Sequence, residues 1–267
     1  MNKLLTMIFA LGLSVTAFAN NQAREIMEQV EGRDDGESVI SIMQMTLIDK
    51  KGKQRNRQMQ TFSKDIDENT EHKTIFFLSP SDVKNTAFLT YDYSDNEKDD
   101  DQWMYLPALK KTKRIPASDK DSAFMGSDFS YADMTDKELD DYTFKLLKES
   151  TIKRKEGEVP VWVIESTPVS QAVIDETGYK KSILYIRKDN YVLTRAKFYL
   201  KKADRIKYMD VRKLEKIDGI WVAMQTTMTT KQGKQTLHKT VLNNSNVKIN
   251  QPIDSNMFTI RTIEKGL

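Results

Sequence analysis

Between residues 38 and 247 the apolar positions recur every second residue in short runs broken by turn formers, a period that commits most of the chain to β-structure. Residues 38–48 and 54–63 flank Asp49-Lys50-Lys51-Gly52, which reads as a hairpin. Further strands are expected at 72–78, 87–93, 102–106, 110–115, 142–153, 161–167, 179–187, 191–200, 206–217, 220–230 and 235–247. Glu156-Gly157, Asp189-Asn190, Asp218-Gly219 and Gln232-Gly233 supply tight turns between several of them. Links this short, with no long helical pattern between strands, predict an antiparallel meander. Val192, Thr194, Ala196, Phe198 and Leu200 alternate with Arg195 and Lys197, so one face meets a core or cavity and the other meets water.

Before the strands the period is helical. Ala23, Ile26, Met27 and Val30 share one face of residues 21–31, and Gly32, Asp34, Asp35 and Gly36 end that helix. Further upstream, Lys3, an apolar stretch over residues 4–15 and Ala17-Phe18-Ala19 have the layout of a cleavable signal peptide. The expected cut lies between Ala19 and Asn20, which makes residues 1–19 a leader and residues 20–267 a single mature domain, soluble in the periplasm. The apolar stretch is short against the roughly 20 residues of a spanning helix. The absence of cysteine excludes a disulfide framework and a lipidated N-terminal cysteine. Lys and Arg number 42 against 39 Asp and Glu, and losing Lys3 leaves 41 against 39, a balance that does not suggest nucleic acid.

Residues 117–141 break the pattern by setting Phe124, Met125, Phe129, Tyr131 and Met134 among Ser, Asp and Gly. A loop this long and aromatic is expected to be a lid or plug, with a short helix near residues 131–139 and an opening point at Gly126. Catalytic chemistry is thin. His72 and His238 are lone strand histidines outside any metal motif, and Gly126-Ser127-Asp128 lacks the second glycine of a nucleophile elbow. Asp95, Glu97, Asp99, Asp100 and Asp101 could supply oxygens to calcium, but no EF-hand glycine or terminal glutamate accompanies them, so a solvated turn is the better reading. No cofactor or metal is called for, and the chain reads as a non-enzyme. Lys110, Lys111, Lys113 and Arg114 form the densest basic patch, read as a solvated hairpin face or as a contact for an anionic headgroup, a membrane surface or an acidic partner.

Asp101-Gln102-Trp103-Met104-Tyr105-Leu106-Pro107-Ala108-Leu109-Lys110-Lys111, then Arg114-Ile115, then Phe124-Met125-Gly126-Ser127-Asp128-Phe129-Ser130-Tyr131-Ala132-Asp133, resembles the outer membrane lipoprotein-sorting protein group of the LolA/LolB-like superfamily. The Ser79-Pro80 turn that runs to Leu89 is similar too, with Asn85 where a glycine is more usual. The resemblance implies a curved antiparallel sheet forming an incomplete β-barrel, short helices plugging its open side, and an apolar cavity for acyl chains. It also implies transport without covalent chemistry, often beside exporters of the resistance-nodulation-division type.

The expectation is a carrier for a lipid or acylated lipoprotein. Its cavity or lid is assigned to Met43, Met45, Phe76, Leu89, Trp103, Tyr105, Phe124, Met125, Gly126, Phe129, Tyr131, Trp162 and Met224. The rival is an accessory subunit of such an exporter that binds protein partners without carrying lipid.

Overall fold

The structure is a computed structural model that describes residues 11–94, 98–155, 157–202 and 204–267, with side chains from residue 21 onward. Most of the leader, Asp95 and Glu97 of the acidic run, and Glu156 of one expected turn lie outside the described residues or their side chains.

The helix α1 (Leu11–Glu31) is followed by β1 (Ser38–Asp49), β2 (Gln54–Asp67), β3 (Thr70–Ser79), β4 (Ala87–Tyr93), β5 (Asp101–Leu106) and β6 (Lys111–Arg114). After the irregular middle come β7 (Tyr142–Arg154), β8 (Gly157–Pro168), α2 (Gln171–Thr177), β9 (Tyr179–Arg187) and β10 (Leu193–Leu200). The chain closes with β11 (Arg205–Ile217), β12 (Ile220–Gln232), β13 (Gln235–Ile249) and the short helix α3 (Ile260–Lys265).

All 13 strands belong to one open sheet, ordered β6-β5-β4-β3-β2-β1-β13-β12-β11-β10-β9-β8-β7, and every neighbouring pair is antiparallel. The sheet is therefore two meanders laid back to back. One runs outward from β1 to the edge β6, the other runs inward from the edge β7 to β13, and they join where Met45 faces Leu242 and Leu47 faces Thr240. The expected β-rich architecture with short helices is present, and the sheet stays open rather than closing into a barrel.

Strand order makes the sheet curl. Asp136 donates its backbone N–H to Asp92 on β4, while the next residue, Lys137, holds its ammonium 4.9 Å from the Phe198 ring on β10. Seven strand intervals separate β4 from β10, about 34 Å if the sheet were flat. Two adjacent residues cannot bridge that distance, so the two wings bend over the middle segment and give the sheet a concave face.

The pleat sorts side chains between the faces. On the concave face of one wing lie Met45, Leu47, Met59, Phe77, Phe88 and Met104, all buried. The other wing contributes Phe144, Ile164, Leu184, Ile186, Ala196, Phe198 and Met228. The helical face read from the sequence, Ala23, Ile26 and Met27 with Val30, packs into that second cluster. The convex face of β3–β5 is also apolar, and the C-terminal segment covers it through Ile253, Phe258 and Ile263 on Phe76, Ala87 and Leu89. Tyr91 Oη donates to Phe258 O at 2.7 Å and fixes that cover.

Turn chemistry follows conformation. Asn85 sits at φ 64°, a left-handed geometry that asparagine tolerates better than most side chains, and its N–H donates to Phe77 O at 2.9 Å.

Candidate functional site

Residues 115–141 run from the edge strand β6 to the opposite edge strand β7, and because the sheet curls they cross its concave face. Pro116, the small polar residues and the lack of any period leave only 3-10 turns, at Ala117–Asp119, Phe124–Gly126, Tyr131–Met134 and Leu139–Asp141. At the tip the backbone doubles back on itself. Phe124 N–H donates to Phe129 O at 2.8 Å and Ser127 N–H to Phe124 O at 2.9 Å. Met125 at φ 50° and Gly126 at φ 72° make this reversal. Gly126 thus helps to shape the tip.

The aromatic residues of this plug are seated. Phe124 is 1% exposed, with ring centroids 5.1 Å from Phe88, 5.7 Å from Tyr131 and 6.2 Å from Phe77. Phe129 is buried in the other wing's cluster, and Met134 packs against both clusters. The plug therefore covers the apolar concave face.

No β-ladder holds it there; its ties to the sheet come mostly from side chains. Gln102 Nε2 donates to Tyr131 O at 3.0 Å, and Arg57 donates to Met125 O. Asp128, its carboxylate 1% exposed, accepts from Thr230 and Thr240 at 2.5 and 2.7 Å, and its Oδ2 lies 2.7 Å from His238 Nδ1. Asp133 accepts from Tyr179 Oη at 2.8 Å, while Lys207 Nζ donates to that hydroxyl at 3.0 Å. Burial, then the neighbouring Asp133 charge, pushes the Tyr179 hydroxyl well above its ordinary range and keeps it a donor. Near the far end of the plug, Lys73 Nζ lies 2.7, 2.9 and 3.6 Å from Glu71, Asp92 and Asp136.

Comparison with known proteins places this architecture. A protein from Vibrio parahaemolyticus, described as an outer membrane lipoprotein-sorting protein domain, shares 30% identity at a TM-score of 0.80, over 92% of this chain and 99% of that one. The chain belongs to that outer membrane lipoprotein-sorting family. A family model described as an uncharacterized protein matches residues 69–265. A DUF1329 family protein from Desulfovibrio piger is 28% identical at a TM-score of 0.81, covering 91% of this chain and 98% of that one. A LolA superfamily protein from Nitrosomonas europaea shares the fold at 18% identity and a TM-score of 0.66, over 90% and 98% of the two chains. No curated protein matches by sequence.

Within this LolA-like frame the residues assigned from sequence divide between two faces. Met43, Met45, Phe124, Met125 and Tyr131 meet in one concave cluster, with Phe129 and Trp162 in the adjoining one. Phe76, Leu89, Trp103 and Tyr105 project from the convex face and pack with the C-terminal cover. Their strand neighbours Phe77, Phe88 and Met104 are the residues that face the plug, because one step along a strand reverses the side. Met224 is half-buried on β12, outside the buried clusters. Lys110, Lys111, Lys113 and Arg114 border the free edge at β6, where Arg114 pairs with Asp101. Asp101 and Asp100 are therefore engaged, the latter accepting from Tyr93 N–H at 3.0 Å.

His238, on β13, faces Asp128 of the plug. A histidine–carboxylate pair beside Ser127 invites comparison with a hydrolase, but Ser127 Oγ lies 3.2 Å from Phe129 O, to which it donates inside the tip. Glu71, Asp92 and Asp136 bring oxygens within 4.8 Å of one another, a spacing suited to a metal ion, and the Lys73 ammonium fills that position. Among the described residues no helix is long and apolar enough to cross a membrane.

Proposed function

We propose that the protein is a non-catalytic periplasmic carrier whose concave face shields the acyl chains of a lipid or lipoprotein during transfer toward the outer membrane, the plug and the cargo competing for one surface. The single observation behind this reading is the seating of Phe124 and Phe129 on that face by a segment that joins no β-ladder. Each methylene moved from water onto such a face contributes about 0.8 kcal/mol, so two acyl chains could outweigh the contacts of a few plug side chains. Residues 1–19 act as the export signal and residues 20–267 as one binding unit. Cleavage after Ala19 leaves Ala23, Ile26, Met27 and Val30 of α1 in place.

Native mass spectrometry of protein gently isolated from the periplasm tests the reading. A stoichiometric phospholipid or acylated peptide is the expected result. An empty protein that co-purifies with an inner-membrane exporter would replace the carrier with an accessory subunit.

A further inference from the structure

The plug carries two opposite charges into the concave face, and the sheet meets each with a different chemistry. The Asp133 carboxylate lies against the Tyr179 hydroxyl at 2.8 Å and the Lys207 ammonium at 3.7 Å. Four residues on, the Lys137 ammonium lies 4.9 Å from the Phe198 ring centre, 5.0 Å from Tyr179 and 6.0 Å from Tyr142, three aromatic rings from β7, β9 and β10. Among the described residues it makes no ion pair, and the rings are its partners. Burial holds the Lys137 pKa below its ordinary value, as expected of an ammonium drawn from water into such a cage.

Consider the face without the plug. Lys207, covered with the plug in place, would lose its carboxylate partner and face the opened surface beside the Tyr179 hydroxyl, a position suited to an incoming anion. Tyr142, Tyr179 and Phe198 would present an empty cage, which favours a compact or quaternary ammonium. A small cleft of about 90 Å³ lined by Lys137, Tyr142, Glu138 and Thr177 reaches this place from solvent, with Lys120 there paired to Asp100 and Glu176.

We infer that Asp133 and Lys137 occupy the place of a zwitterionic phospholipid headgroup, its phosphate received by Lys207 and Tyr179 and its amine by the rings of Tyr142, Tyr179 and Phe198. The inference rests on the carrier reading and names the cargo class. A lipid with an anionic headgroup alone satisfies Lys207 and leaves the rings unfilled, so the site discriminates by the amine.

The mature protein, incubated with vesicles of equal parts phosphatidylethanolamine and phosphatidylglycerol and then separated from them, reports both levels when its bound lipid is extracted. Phosphatidylethanolamine enriched several-fold over the vesicle ratio is the expected result. Lys207→Met should lower total bound phospholipid several-fold while Lys207→Arg retains it, with circular dichroism verifying that both variants fold. Bound lipid at the vesicle ratio overturns the headgroup assignment and leaves the carrier standing. Absence of any bound lipid overturns both.

Discussion

Asp128 at the plug tip lies 2.7 Å from His238 on β13, and the same carboxylate accepts hydroxyl bonds from Thr230 and Thr240. One buried acid therefore ties the free part of the plug to the β12–β13 hairpin. Asp128→Ala leaves Thr240, which is 0% exposed, without its acceptor, and the expected loss is about 2–3 kcal/mol in a urea titration. Binding of a hydrophobic dye should rise in the same variant as the tip loosens. An unchanged midpoint would show that the tip is held by its aromatics alone.

Lys73 takes the place that a metal ion would occupy among Glu71, Asp92 and Asp136. Removing it leaves the buried Asp92 carboxylate without its cation and facing the half-buried Glu71, so Lys73→Ala should lose about 2 kcal/mol. The same variant should regain thermal stability when calcium is added, while the parent protein does not respond. Calcium stabilising both equally would place the ion elsewhere.

Burial pushes the Glu71 and Asp100 carboxyls up to about 6, and burial together with the nearby acids Glu31, Asp100 and Asp92 pushes Glu138 up to about 7. A carboxyl with a higher pKa in the fold than in the open chain binds its proton more tightly when folded. Its contribution is greatest below the unfolded values of 4.5 and 3.8 and is lost as pH rises through the folded ones. The protein should accordingly be more stable at about pH 5 than at about pH 8, with the decline concentrated between them. A urea midpoint that climbs over that interval would contradict this.

Gly36 stands at φ 90° beside the seam of the two meanders, and an added Cβ would meet Ile249 Cγ2 at 2.4 Å. Gly36→Ala combines backbone strain with a clash against β13, and a loss of at least about 2 kcal/mol is expected in the same titration. A near-neutral effect would mean that the α1–β1 turn can shift away from the seam.

The strands were legible because period two and turn residues are local signals. The expected bounds of β4 and β9, Ala87–Tyr93 and Tyr179–Arg187, coincide with the structure at both ends. The inward face of α1 was legible for the same reason. The pairing of β1 with β13 was not, since about 190 residues separate them and nothing local encodes the partner. The side on which Phe76, Leu89, Trp103 and Tyr105 lie was not legible, because both faces of β3–β5 are apolar, one under the plug and one under Ile253, Phe258 and Ile263. The cover itself is read only in three dimensions, α3 being six residues long. Asp128 with His238 and Asp133 with Lys207 were hidden for a different reason. An isolated acid in a polar loop gives no sign of the base that it meets across the fold.

Hydrogen exchange across the plug tests the central claim most directly. In the empty protein the amides of Asp128 and Asp136, which donate to Thr240 Oγ1 and Asp92 Oδ2 on the sheet, should be protected. Loading with phospholipid should accelerate exchange at these plug amides while the β1–β13 seam stays as it was. Lipid bound with those amides still protected would mean that cargo and plug do not share a site, and the account of the concave face as the carrying surface would be wrong.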